Sequence, residues 1–124
     1  MAAKKILIIE DDAVATFVYQ KGLVQAGYEV EVATDGQAGL ERIQQSAPDG
    51  VLLDLMMPKL NGIALLKLLR ALPTGGKMPV LVITNAYLPQ MIEEAMAAGA
   101  TKVLEKGNLT PQTIQVIFRD FLGA

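Results

Sequence analysis

The chain has 124 residues, enough for one domain that buries roughly two-thirds of its unfolded surface and needs no covalent staples. Apolar residues make up 52% of it, charged residues 19%, and the net charge is −2, with no basic run longer than Lys4-Lys5. Such a composition excludes a disordered chain and carries no nucleic-acid footprint. Cysteine and histidine are both absent. Their absence removes disulfides, thiolate zinc sites, thiol catalysis, Ser-His-Asp triads and phosphoryl donation from a histidine of the chain's own.

Met1-Ala2-Ala3-Lys4-Lys5 leads into Ile6-Leu7-Ile8-Ile9, a run too short for a signal-peptide core or a membrane span. A cytoplasmic protein without membrane contact is the expectation. The run itself is continuously apolar, as a central parallel strand covered on both faces requires. Val14, Phe17, Val18 and Val24 then recur near helical spacing, and Gly27 supplies a stop. Glu29-Val30-Glu31-Val32 alternates, which marks an edge strand. Asp35 precedes a weaker helix carrying Leu40 and Ile43, ended before Pro48. Val51-Leu52-Leu53 is a second buried strand. Ile63, Leu65, Leu66, Leu69 and Leu72 mark a strongly apolar third helix, closed by Pro73-Thr74-Gly75-Gly76, and Val80-Leu81-Val82-Ile83 is a third buried strand. A fourth helix runs from about Pro89 to Ala98, with Ile92, Ala95 and Met96 inward and Gly99 after it. Thr101–Leu104 is short and half polar, a second edge strand. The fifth helix is the best signalled: Thr110 as cap, Pro111 at the first position, and one stripe of Ile114, Ile117, Phe118 and Phe121.

Five strands alternating with five helices, three strands buried and two at edges, predict an α/β fold built on a doubly wound parallel sheet. Right-handed crossovers of this length bring the strand carboxyl ends to one edge, where such sheets place their ligands. Four polar signals sit there: Glu10-Asp11-Asp12, Asp54, Thr84 and Lys106. Crowded carboxylates repel one another and call for a cation, and oxygen ligands with open positions suit Mg²⁺ or Mn²⁺. Asp12 is equally suited to cap the first helix while Asp11 and Glu10 serve a metal. A carboxylate such as Asp54 that attacks a phosphoryl donor forms an acyl phosphate. The Thr84 hydroxyl and the Lys106 ammonium are partners that a planar anionic phosphoryl group needs. Singly, Asp54 reads as a turn residue, Thr84 as a strand former and Lys106 as a solvated surface charge. Their shared place gives the set its meaning.

Taken in order, these residues resemble the receiver domain of two-component response regulators, the single-domain chemotaxis type included. The resemblance spans essentially the whole chain. It rests on Ile6–Asp12, the Asp54-Leu55-Met56-Met57-Pro58 segment with Gly62, Thr84, the Ala98-Gly99-Ala100 stretch and Lys106. It implies one receiver domain over residues 1–124 and a five-stranded, flavodoxin-like sheet of order 2-1-3-4-5 with five flanking helices. Asp54 would be the phospho-acceptor and Asp11 the direct ligand of Mg²⁺ (or Mn²⁺), with Glu10 acting beside it through water. Asp54 and the Met56 backbone carbonyl would complete the protein's share of the metal. Thr84 would follow the phosphoryl oxygens, and Lys106 would pair with that group. The implied donor is a phosphohistidine on a sensor histidine kinase or a histidine phosphotransfer protein. Such a domain catalyses its own phosphorylation and slow dephosphorylation, yet it is a switch and not an enzyme. Its output would be altered affinity, at the face of the fourth helix, fifth strand and fifth helix, for a downstream protein or a removed output domain. The fourth and fifth helices also offer candidate surfaces for a homodimer.

Three departures from the family pattern stand out. Val103 occupies a place that is usually aromatic, Gly107 replaces the proline that usually follows the lysine, and Asn85 fills a place normally kept small. With the proline gone, no cis peptide is expected there. Tyr87, three residues after Thr84, is the candidate substitute for the missing ring, packed over Val103. Met56 and Ala86 offer no side chain able to orient an attacking water, which predicts slow loss of phosphate. The alternative reading is a phosphorylation-independent, receiver-like protein-interaction module, favoured by the departures and opposed by the complete acidic set. A phosphatase with an aspartyl nucleophile would need two aspartates with one residue between them after the first strand, and Glu10-Asp11-Asp12-Ala13 lacks that pattern. The chain stops at Ala124, about where the fifth helix should end, which fits either a complete regulator or an excised receiver.

Overall fold

The three apolar runs and the two half-polar ones each form a strand of one parallel sheet. They are β1 (Lys5–Ile9), β2 (Glu29–Ala33), β3 (Gly50–Asp54), β4 (Val80–Thr84) and β5 (Lys102–Glu105), in the order β2-β1-β3-β4-β5. Between and after them run α1 (Ala13–Gln25), α2 (Gly36–Ser46), α3 (Gly62–Ala71), α4 (Pro89–Ala98) and α5 (Pro111–Leu122). The computed structural model describes residues 3–56, 61–73 and 75–123. Met57 and Pro58 of the family-like segment, Thr74 of the turn after α3, Met1-Ala2 and Ala124 lie outside the described residues.

Every neighbouring strand pair is parallel, with Ile9 beside Leu53, Asp54 beside Ile83 and Thr84 beside Glu105. The sheet is covered on both faces, and this explains why β3 and β4 are buried along their whole length. On one face Leu7, Ile9, Leu53 and Val82 pack against Leu65, Leu66 and Leu69 of α3 and Ala95 of α4. On the other, Ile6, Ile8, Leu52 and Ile83 pack against Tyr19 and Leu23 of α1 and Ile114 and Phe118 of α5. Burying each of the Val, Leu, Ile and Phe side chains among these contributes roughly 1.5–3 kcal/mol.

Short polar side chains start four of the five helices, α4 being the exception. Asp12 Oδ1 accepts from the Val14 N–H at 2.9 Å, Asp35 Oδ1 from Ala38 at 2.8 Å, Asn61 Oδ1 from Ile63 at 2.8 Å and Thr110 Oγ1 from Thr113 at 3.1 Å. Asp12 is therefore the cap of α1, which leaves Asp11 and Glu10 for the strand-end site.

Two sequence expectations are corrected. The stripe of Val14, Phe17 and Val24 faces outward: these residues are exposed, while Tyr19, Gly22 and Leu23 make the inner face of α1. Gly22 sets that choice, because a Cβ there would lie 2.9 Å from the Pro111 Cα, so α1 and α5 meet backbone to backbone at this residue. Met96 likewise points outward, since Ala95 and Ala98 fill the inner line of α4. Gln115 donates from Nε2 to the Gly22 carbonyl at 2.8 Å and ties α5 to α1.

Candidate functional site

Among the described residues, the buried polar or charged ones are Glu10, Asp54 and Thr84, and all three stand at the carboxyl ends of strands. Burying a carboxylate without compensation is costly, so such a cluster needs positive charge, a proton or a cation. Parallel registry fixes the cluster. Ile9 pairs with Leu53, so the next residues, Glu10 and Asp54, emerge side by side.

Lys106 begins a 3₁₀ turn (Lys106–Asn108) directly after β5 and reaches across the end of β4 to both acids. Its Nζ lies 2.6 Å from Glu10 Oε1 and 3.1 Å from Asp54 Oδ2. The two Asp54 oxygens have different holders, for the Met56 N–H donates to Oδ1 at 3.0 Å. Glu10 Oε2 accepts from the Asp11 N–H at 3.0 Å and from Asp12 at 3.3 Å. Glu10 Oε1 is buried and, despite the close Lys106, has no partner in hydrogen-bonding direction. Burial, with Asp54 alongside, raises the Glu10 pKa from 4.5 to about 7, and Lys106 pulls it back only in part. Burial alone would push the Lys106 ammonium down, but its ion pairs with Glu10 and Asp54 outweigh that and hold it above the usual lysine range.

Carboxylate oxygens of Glu10, Asp11 and Asp54 lie within 4.8 Å of one another, with Asp11 exposed and the other two buried. Three carboxylates facing one ammonium leave excess negative charge when all are ionised. Together with the under-satisfied Glu10 Oε1, this oxygen set fits a hard divalent cation. From Glu10 and Asp11 a cleft of about 300 Å³ opens along Thr16, Phe17 and Gln20 of α1 toward Val32 of β2.

Thr84 is fully buried and its Oγ1 accepts from the Ala86 N–H at 3.0 Å, which leaves its own hydrogen to donate. The structure thus gathers Glu10, Asp11, Asp54 and Lys106 by distance, and sets Thr84 on the next strand, one residue beyond the partner of Asp54. The Met56 side chain is exposed, and it is the backbone of Met56 that touches the site. Sequence reasoning did not find the N–H donors of Met56 and Ala86, because backbone groups leave no mark on residue identity.

Of the departures, Val103 is buried on the α4 side of the sheet and Asn85 is exposed; Tyr87, the candidate substitute ring, is exposed as well. No cis peptide bond occurs among the described residues. No helix of the described residues is long and apolar enough to cross a membrane.

Comparison with known proteins agrees with this geometry. Response regulator MprA of Mycolicibacterium vanbaalenii is 36% identical over 102 residues, covering 82% of this chain and 43% of that protein. The chain thus spans less than half the length of that relative. Among solved structures, chemotaxis protein CheY4 of Vibrio cholerae superposes with a TM-score of 0.90 at 30% identity, covering 97% of this chain and 99% of the other. The receiver domain of sensor histidine kinase PA1611 from Pseudomonas aeruginosa superposes equally well, TM-score 0.90 at 27% identity over 99% of this chain and all of that one. That structure holds a magnesium ion coordinated in its active site cleft. The sequence model of the response regulator receiver domain matches residues 6–118. The chain therefore belongs to the response regulator receiver domain family of two-component signalling.

Proposed function

We propose that Asp54 is the phosphoryl acceptor of a signalling switch and that its donor is a phosphohistidine on a sensor histidine kinase or a phosphotransfer protein. The observation that carries this reading is the convergence of buried Asp54 with Lys106 at 3.1 Å and with the Glu10–Asp11 acidic pair at the strand ends. An Asp54 carboxylate oxygen attacks phosphorus, the phosphorus–nitrogen bond of the donor breaks, and the electron pair returns to the imidazole. The product is an aspartyl phosphate. Lys106, already on Oδ2, shifts to the phosphoryl oxygens, and the Thr84 hydroxyl donates to another.

Glu10, Asp11, Asp54 and the Met56 carbonyl would hold Mg²⁺ or Mn²⁺. When bound, the ion neutralises charge that builds on the phosphoryl oxygens. The catalysis belongs to the receiver itself, and one modification event per signal makes it a switch and not a turnover enzyme. The output face is α4, β5 and α5, whose partner is a downstream protein or an output domain of a longer chain. A coupling of about 1–3 kcal/mol between Asp54 and that face suffices for signalling.

Amide NMR spectra with Mg²⁺ and beryllium fluoride, a stand-in for the phosphoryl group, test the reading. Expected are shifts around Asp54, Thr84 and Lys106 that extend into α4 and β5, and none in Asp54→Asn. An unperturbed wild-type spectrum would contradict the reading.

A further inference from the structure

We propose that Met56 is an oxidative modification site: a peroxide converts its thioether to the sulfoxide, whose oxygen then orients the water that removes phosphate from Asp54. The effect on phosphate rests on Asp54 being the acceptor, while the modification itself does not. The chain has neither cysteine nor tryptophan nor histidine, so its six methionines are the side chains a peroxide oxidises most readily. Among the described residues Met56 is 57% exposed, Met96 47% and Met78 only 6%. Met96 lies on the outer side of α4, whereas the Met56 N–H donates to Asp54 Oδ1 at 3.0 Å. An exposed, oxidisable sulfur therefore sits on the residue whose backbone touches the acceptor carboxylate.

The oxidation is a two-electron step. The sulfur lone pair attacks one oxygen of hydrogen peroxide and the O–O bond breaks. The proton on the transferred oxygen passes to the departing hydroxide, which leaves as water; sulfur is oxidised and peroxide reduced. A thioether is a weak acceptor, but a sulfoxide oxygen is a strong one. That oxygen stands as many bonds from Cα as the carboxamide oxygen of a glutamine, and the exposed, unbranched side chain is free to bring it over Asp54. There it accepts a hydrogen bond from the attacking water. The water oxygen bonds phosphorus, and the bond from phosphorus to the Asp54 oxygen breaks with its electron pair returning to the carboxylate. The water protons go to phosphate and solvent. Oxidation thus supplies the acceptor that Met56 and Ala86 lack, and a peroxide ends the phosphorylated state early.

Peptide mass mapping after mild treatment with hydrogen peroxide gives a readout that needs no phosphorylation. Met56 and Met96 are expected to gain an oxygen together, well ahead of buried Met78. A Met56 that stays reduced while Met96 is oxidised overturns the proposal. The second readout is decay of the phosphorylated mass after loading with acetyl phosphate and Mg²⁺, the peroxide having first been removed with catalase. Oxidation should shorten the phosphate lifetime several-fold, and methionine sulfoxide reductases for both epimers should restore it. Met56→Gln should decay fast without peroxide. Met56→Leu should show one lifetime before and after treatment, whereas Met57→Leu and Met96→Leu should keep the response. An unchanged lifetime in the oxidised wild type overturns the proposal, as does a shortening that persists in oxidised Met56→Leu. If the untreated wild type takes up no phosphate at all, it is the reading of Asp54 that fails, and the effect assigned to Met56 falls with it.

Discussion

Glu10 shows how one buried carboxylate ties the site to pH. Burial holds its pKa near 7 in the fold, against 4.5 for an ordinary glutamate. As pH rises from about 4.5 to about 7, the unfolded chain has already released this proton while the folded chain still keeps it. Without divalent cation, stability is therefore expected to be greatest below that window and to fall by up to a few kcal/mol across it. Denaturation of wild type and Glu10→Gln at several pH values checks this: the variant's profile should be flatter. Cation binding needs the ionised acid, so apparent Mg²⁺ affinity should rise nearly tenfold per pH unit below about 7 and level off above it. An affinity that does not change between about pH 6 and pH 8 would contradict the assignment of Glu10. Met56 carries a second prediction at this scale. Its exposed side chain can neither donate nor accept strongly beside Asp54, so Met56→Asn is expected to shorten the phosphate lifetime several-fold, read as decay of the phosphorylated mass. Glu10, Asp11, Asp54, Thr84 and Lys106 were legible in sequence because each follows an apolar run. The donors from Met56 and Ala86 were not, since any residue type supplies an N–H.

At the scale of elements, two interactions that residue patterns concealed join the helices to the rest of the molecule. Arg70, in the last turn of α3, donates from Nε and Nη2 to the Gly99 carbonyl at 3.0 and 2.7 Å, and from Nη1 to Gly75 at 2.8 Å and Met78 at 2.6 Å. It thereby fastens the α3–β4 loop and the end of α4 to one planar fork. Arg70→Met should cost about 2–3 kcal/mol in chemical denaturation, because partly buried carbonyls lose a charged donor. Arg70→Lys should recover only part of that, since an ammonium cannot match the fork. Gly22→Val should cost about 1–3 kcal/mol by forcing α1 off Pro111. Neither contact has a local signature: an arginine in a last turn reads as a solvated cation, and a glycine in a helix reads as a weakness. The same blindness turned the α1 stripe inside out. Val14, Phe17 and Val24 keep helical spacing, but so do Tyr19 and Leu23, and only the approach of α5 at Gly22 decides which line is buried. Where a helix had one apolar line, as in α5, the inner residues were read correctly.

Viewed whole, the molecule was the most legible level of all. Continuous apolar strands have to lie between two layers of helices, so three such runs flanked by two half-polar ones leave little choice but a doubly wound sheet. That sheet brings residues from β1, β3, β4 and β5 to one edge, with Asp54 at its centre. The central claim is that this edge accepts a phosphoryl group at Asp54 and signals the event across the fold. Intact-protein mass after incubation with acetyl phosphate and Mg²⁺ tests it most directly, with Asp54→Asn and a chelated sample alongside. The account predicts a single phosphate adduct on the wild type, absent from both controls. A folded wild type that binds Mg²⁺ yet gains no adduct, or an adduct that persists in Asp54→Asn, would contradict it.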